Sequence, residues 1–208
     1  MELIRLNISL LLILCIGSIY SQEFEKEINQ ALKEEPRLIA NLDSRNAFIS
    51  SNGVRVLGFK VGLLYGDKLA FGIGYNQLSS TYRNTIIYEG EESRVKLAYW
   101  YLSPYLEYTF YRDKKWELSI PVQIGIGESY YKLVDQQDKA IYNKLVISYE
   151  PAISFQYRVL NYFGVGMGIG YRLMVIPNRE LEERFTSPVY MLKFKVYFED
   201  LYDRILDL

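Results

Sequence analysis

The chain has 208 residues, a formal net charge of −1 at pH 7, no histidine and a single cysteine, Cys15. That balance offers no basic field for nucleic acid, and without histidine no Ser-His, Cys-His or imidazole–metal centre can be assembled. The excess is aromatic, with 20 Tyr and 10 Phe. No segment beyond the N-terminus is apolar for as long as about 18 residues, so a membrane form of the mature chain must cross with strands rather than helices.

Residues 1–21 carry one early positive charge (Arg5), an apolar run from Ile8 to Ile16, and Ser21 before Gln22. The run is shorter than the roughly 20 residues of a spanning helix, so the segment reads as a secretory signal peptide cleaved near Ser21. Leu14 before Cys15 is too large for a lipoprotein site. Removal of this leader leaves a cysteine-free chain of one-domain size, which must hold together without disulfides. Residues 22–36 place Phe24, Ile28 and Leu32 four apart among charges. This predicts a short amphipathic helix ending at Pro36, expected as a solvated or loosely docked segment, with a plug or partner-binding helix as the alternative.

From Arg37 the period becomes two. Asn52-Gly53 reads as a type I′ hairpin turn pairing 38–51 with 54–67, the first of these strands being weakly patterned. Strand 68–80 follows the turn at Gly66-Asp67. After a polar loop, 81–94, come strand 95–112, a turn at Asp113-Lys114, and the long strand 115–132. There Trp116, Leu118, Ile120, Val122, Ile124 and Ile126 alternate with Glu117, Ser119, Pro121, Gln123, Gly125 and Gly127. Loop 133–143 leads to strand 144–159. Past Leu160-Asn161, strand 162–175 alternates Phe163, Val165, Met167 and Ile169 with Gly164, Gly166, Gly168 and Gly170. Loop 176–187, strand 188–198 and an acidic tail, 199–208, complete the chain. Pro104, Pro121 and Pro151 interrupt three successive strands and are expected at bulges that bend one wall, a lateral opening being the functional alternative.

Eight strands joined by alternating short and long connections define an antiparallel up-and-down meander, best closed into a barrel. Volume decides which face is outside. The interior of an eight-stranded barrel is just filled by side chains, so the glycine-rich face belongs inside and the face bearing Phe71, Trp100, Phe110, Trp116, Phe155 and Phe194 outside. Charge agrees, since mid-strand charge falls on the small-residue face alone: Lys60, Glu107, Glu117, Glu150, Arg158, Arg172, Lys193 and Lys195. A cation on the lipid face at mid-bilayer costs about 2–4 kcal/mol. Aromatics near both strand ends, among them Tyr65, Trp116, Phe198, Tyr75, Tyr130 and Tyr190, have the distribution of interfacial girdles.

With its leader, its eight alternating strands and a last strand ending in outward Phe198, the chain resembles the small outer-membrane β-barrel proteins of Gram-negative bacteria. The resemblance implies an all-β, eight-stranded transmembrane barrel, residues 37–198, after a periplasmic helix, 22–36. It implies outer-membrane lipid as surroundings and the outer-membrane insertion machinery as a partner during assembly. It further places Asp67, Asp113 and Asn161 at the periplasmic end and loops 81–94, 133–143 and 176–187 outside, where a protein partner is expected. The histidine-dependent barrel enzymes are excluded by composition. Glu107, Glu117 and Glu150 are expected to pair with Lys and Arg rather than work as acids and bases. The run GVGMGIG continues a strand and lacks the strand-to-helix turn of a dinucleotide site. Acidic segments Glu89–Glu92 and Glu180–Glu183 lack EF-hand spacing, so no cofactor or metal is expected. A non-enzymatic membrane scaffold is the expected role, with a narrow solute channel or a soluble lipocalin-like lipid carrier as alternatives.

Overall fold

The computed structural model describes residues 24–49, 52–134, 138–198 and 202. The predicted leader and nearly all of the tail 199–208 lie outside them. Helix α1 (residues 24–31) precedes nine strands: β1 (Arg37–Ile49), β2 (Asn52–Tyr65), β3 (Leu69–Leu78), β4 (Arg83–Tyr88), β5 (Glu91–Arg112), β6 (Trp116–Leu133), β7 (Lys139–Leu160), β8 (Phe163–Ile176) and β9 (Ser187–Tyr197). Each pairs antiparallel with its neighbours. β1 meets β9, and β3 skips β4 to pair with β5, closing a ring of eight with β4 outside it. One end carries the short turns, α1 and the end of β9. The other carries the longer connections and is called the loop end.

The two faces separate by parity, and the bulky apolar residues are outside. Leu42, Ile73, Leu106, Ile153, Met167 and Leu192 are all exposed, Met167 by 60%, while the lumen holds the buried charges and, toward the loop end, an apolar cluster. Glycine is required on the inner face where walls approach. A Cβ on Gly72 would run into the Val61 carbonyl, and one on Gly127 into that of Trp100. The inward-apolar arrangement that a lipocalin-like carrier needs is thereby overturned. Near the turn end the outer wall carries a ring cluster in which Trp116 lies 4.8 Å from Phe155 and 4.4 Å from Tyr157, centroid to centroid.

Several local expectations are corrected. Residues 81–94 are not merely a polar loop. They contain β4 and the start of β5, folded back at Glu89-Gly90 with φ of 54° and 88°, the positive pair that a tight hairpin needs. β7 begins at Lys139, so the connection after β6 is shorter than predicted. With 22 residues in β5 and β7, against 10 in β3, the β4–β7 wall rises beyond the rest of the loop end. Asn52-Gly53 is not the first turn. Ile49 pairs with Asn52 and Phe48 with Gly53, and residues 50–51 lie outside the described residues. The Asn-Gly register would have set Arg45 directly across from Lys60. The observed one puts Arg45 opposite Val56 and leaves the Lys60 Nζ 3.3 Å from Asp43, and like charges directly opposite destabilise a ladder.

The prolines are not at bulges. Leu102–Ile126 and Tyr105–Gln123 flank Pro104 in one register, as Ser119–Ser154 and Val122–Pro151 flank Pro121, and Tyr149–Leu173 and Ala152–Gly170 flank Pro151. In an antiparallel strand a residue's N–H and C=O face the same neighbour, so each proline loses bonding on one side. It keeps its partner on the other: Ile73, Glu107 and Val122 respectively. The true irregularities lie elsewhere, and the one between Thr109 and Tyr111 reverses the parity at the end of β5. Arg112, which unbroken alternation from Leu106 would put on the outer face, therefore turns in, where it pairs with Asp67 at 2.5 Å and Glu117 at 3.5 Å.

Helix α1 neither enters the lumen nor floats free. Its stripe of Phe24, Glu27, Ile28 and Ala31 has the i, i+3, i+4, i+7 spacing of one helical face, and it lies against the outside of the turn-end rim. Phe24 meets Tyr108 edge-on at 5.0 Å, Glu27 accepts from the Tyr108 hydroxyl at 2.6 Å and pairs with Lys68 at 2.5 Å, and Ala31 is buried on Gly66. Gly66 has φ of 53° and leaves no room for a Cβ beneath Ala31. Leu32, expected on this face, is exposed past the helix end. The Lys68 hydrogen bond, then that of Tyr108, holds the Glu27 carboxyl below its ordinary 4.5. A lowered carboxylate stabilises docking above that value, and the contribution is lost as pH falls through the lowered one. Amide exchange across 24–31 is thus expected to quicken on acidification through the glutamate range and already at neutral pH in Glu27→Gln. Equal protection of wild type and variant at neutral pH would refute the pairing.

Candidate functional site

The lumen is where sequence and structure concentrate charge. Seven of the eight charges expected inside, Lys60, Glu107, Glu117, Glu150, Arg172, Lys193 and Lys195, are buried, and Arg158 is half-buried at the turn-end rim. They form two layers. Toward the turn end, Glu117 accepts from the Tyr197 hydroxyl at 2.8 Å and pairs with Lys195 at 3.5 Å and Arg158 at 3.2 Å. Glu107 pairs with Lys193 at 3.0 Å and accepts from Ser119 at 2.9 Å.

The second layer is centred on Glu150. One of its oxygens takes Arg45 at 2.7 Å, the other Arg172 at 2.8 Å. Arg45 also reaches Asp43 at 2.8 Å, Asp43 takes Lys60, and the Tyr101 oxygen accepts from Arg172 at 3.2 Å. A carboxylate held as Glu150 is, between two guanidinium groups, has its charge neutralised. Among the described residues no group of three or more acidic or thiol side chains is placed to hold a metal.

Asp43 and Arg45 were missed because β1 reads as weakly patterned. The signal was nevertheless present. Ile39, Asn41, Asp43, Arg45 and Ala47 share one parity and are all buried, while Leu38, Leu42 and Phe48 on the other are exposed.

Above the second layer the loop end is closed by its own chain. The β8–β9 connection, expected as a solvated charged loop, folds into the mouth. Leu181 and Phe185 are buried in a cluster with Val95, Leu97, Tyr99 and Tyr131, and Phe185 packs on Tyr99 at 4.8 Å. Asn178 Nδ2 donates to the carbonyls of Ser129 (2.9 Å) and Tyr142 (2.8 Å), and Tyr131 donates to Glu183. The alternation Leu181, Glu183, Phe185 carried the signal, one apolar or hydrogen-bonded residue in two turning inward within a charged run. A recess of about 600 Å³ remains beside this lid, lined by Met174, Pro177, Arg179, Glu182 and Arg184.

A closed eight-stranded antiparallel meander with an apolar exterior and a salt-bridged lumen has the fold of the small outer-membrane β-barrels; separately, no helix among the described residues is long and apolar enough to span a membrane. In fold the chain is similar to neisserial surface protein A, with 13% sequence identity and a TM-score of 0.55 over 78% of this chain and 96% of that one. Weaker overlaps are found with the attachment invasion locus protein Ail of Yersinia pestis (9% identity, TM-score 0.46, 78% and 96% covered). The N-terminal β-barrel domain of Pseudomonas aeruginosa OprF overlaps at a similar level (9%, 0.45, 78% and 98%). No protein-family model and no curated protein matches the sequence.

Proposed function

We propose that the protein is a non-enzymatic barrel of the outer membrane whose lumen is a structural strut rather than a passage, and whose work is done at the loop end by the raised β4–β7 wall and the lid. On this reading the turns at Gly66-Asp67, Asp113-Lys114 and Asn161, with α1, face the periplasm, and the loop end faces outside, where a protein partner docks. The observation that carries the proposal is the pairing of opposed charges across the lumen in two layers, with Leu181 and Phe185 sealing the mouth above. Ions would have to break several buried pairs and displace an apolar lid to pass, and a chain without histidine lacks the commonest general base.

The test is planar-bilayer recording on protein whose barrel is shown to be closed by a mobility shift between unheated and boiled samples. No unitary conductance is expected from wild type. Discrete openings would overturn the strut and restore the channel. A protein that is recovered soluble and shows no shift would overturn the membrane location itself.

A further inference from the structure

The lipid-facing wall breaks its apolar pattern toward the loop end of β1 and β2. Between Ile153 on β7 and Arg55 on β2, a single row of outward positions runs Ile153, Ile169, Tyr190, Asn46, Arg55 across five strands. The row below it runs Phe155, Met167, Leu192, Ser44, Leu57. Half of this surface is apolar and the other half is not. Ser44, Asn46 and Arg55 are neighbouring outward residues on a face that is mostly apolar, and Asn46 and Arg55 are exposed. Polar groups facing hydrocarbon are costly unless something pairs with them.

The surface is also not flat there. A furrow of about 550 Å³ lies over Ile153, Phe155, Met167, Ile169 and Leu192, within the size range of small-molecule sites. It joins a second recess of about 400 Å³ bounded by Phe48, Arg55, Ser79 and Ser80, the two sharing Asn46 and Tyr190. The polar recess is a built feature. The Arg55 backbone N–H donates to the Ser80 hydroxyl at 3.0 Å and its carbonyl accepts from the Ser79 N–H at 2.8 Å, so residues 79–80 are laced to β2 beside it. The Arg55 guanidinium itself has no hydrogen bond or ion pair with any described residue. It lies next to Asn46 and one strand further from Tyr190, near the loop end of β2, and interfacial aromatic girdles occupy strand ends of this kind.

We propose that this composite groove holds one anionic lipid of the surrounding bilayer, with an acyl chain lying in the furrow over Met167 and Ile169 and its phosphate paired with Arg55 and Asn46. An apolar furrow leading to a single unpaired cation has the polarity of an amphiphile, tail to head. Arginine presents a planar donor fork that suits phosphate oxygens, and a lipid bound there would relieve Asn46 as well. The proposal rests on the membrane location proposed for the barrel but goes beyond it, since surrounding lipid needs no particular residue.

The experiment is native mass spectrometry of the full chain folded in detergent, closure being checked first by the heat-dependent mobility shift. The probes are phosphatidylglycerol and phosphatidylcholine with identical acyl chains. Wild type is expected to retain one phosphatidylglycerol with about tenfold preference over phosphatidylcholine. Arg55→Gln is expected to lose the preference while keeping weak retention of both lipids, and Ile169→Trp, which fills the furrow with an apolar ring, to weaken both. Ile73→Trp, an outward change on another part of the wall, is expected to change neither. Equal retention of the two lipids by wild type, or an undiminished preference in Arg55→Gln, would show ordinary surrounding lipid and overturn the site. Failure to give a closed barrel in detergent would instead count against the membrane location.

Discussion

Replacing Glu150 with alanine is expected to destabilise the barrel by about 3–5 kcal/mol, the cost of breaking a buried pair and leaving its partners uncompensated. Glu150 is the hinge of the inner charge layer, because it is the carboxylate that stands between Arg45 at 2.7 Å and Arg172 at 2.8 Å. Neither guanidinium has an easy alternative. Arg45 would keep Asp43, but Asp43 is shared with Lys60, and Arg172 would keep no carboxylate among the described residues, only the Tyr101 oxygen and the rings of Tyr99 and Tyr101. Glu150→Gln should fall between alanine and wild type, since an amide restores one acceptor but not the charge. The measurement is the urea midpoint in lipid vesicles, read by the fluorescence of Trp100 and Trp116, the two tryptophans of the chain. A Glu150→Ala midpoint equal to wild type would mean that the buried layer is hydrated and loosely coupled, and the strut would fall with it.

The second large effect concerns the other face. Leu106 is outward at mid-strand, in register with Val122 on β6 and Phe71 on β3, and 48% exposed. On a soluble protein, arginine at so exposed a site is tolerated. In a bilayer core it costs about 2–4 kcal/mol. Leu106→Arg is therefore expected to lower the midpoint in vesicles by that order while leaving detergent-folded protein, where solvent and headgroups reach the site, much less affected. The contrast between the two media tests the environment and not the fold. Equal loss in both would mean that Leu106 packs against protein rather than lipid.

How much of the barrel is legible in the sequence depends on whether a feature lives in side-chain alternation or in backbone detail. The belt and the eight lumen charges follow from a strict period of two, because barrel closure gives each parity one solvent. Strand β1 obeys the same rule, but the small and polar outward residues Ala40, Ser44 and Asn46 blur the contrast with its inward Asn41, Asp43 and Arg45, and the centre of the charge network was missed with them. Arg112 was misplaced for a different reason. One register shift beside Tyr111 inverts parity, and side-chain alternation does not register an extra backbone residue. The lid over the mouth depends on long-range burial: Leu181 and Phe185 sit within a charged run, and only the cluster around Tyr99 gives them somewhere to go. In the case of β4, the turn signal of Glu89-Gly90 was present but was outweighed by the acidic residues around it.

The chain distances spanned by the lumen pairs bear on how such a barrel assembles. Arg45 and Glu150 are 105 residues apart, Lys193 and Glu107 are 86, and Tyr197 and Glu117 are 80. Hairpins form locally, but none of these partners can meet until the sheet curls far enough for β1 to find β9. An open, partly paired sheet would therefore present Asp43, Arg45, Glu107, Glu117 and Lys193 without their partners, a surface that hydrocarbon rejects. The last seam and the neutralisation of the interior are one event, so half-closed species are penalised from both sides, by bare strand edges and by bare charge. High sequence separation also makes that event slow. The network that makes the finished wall rigid is thus also what ties ring closure to entry into the bilayer.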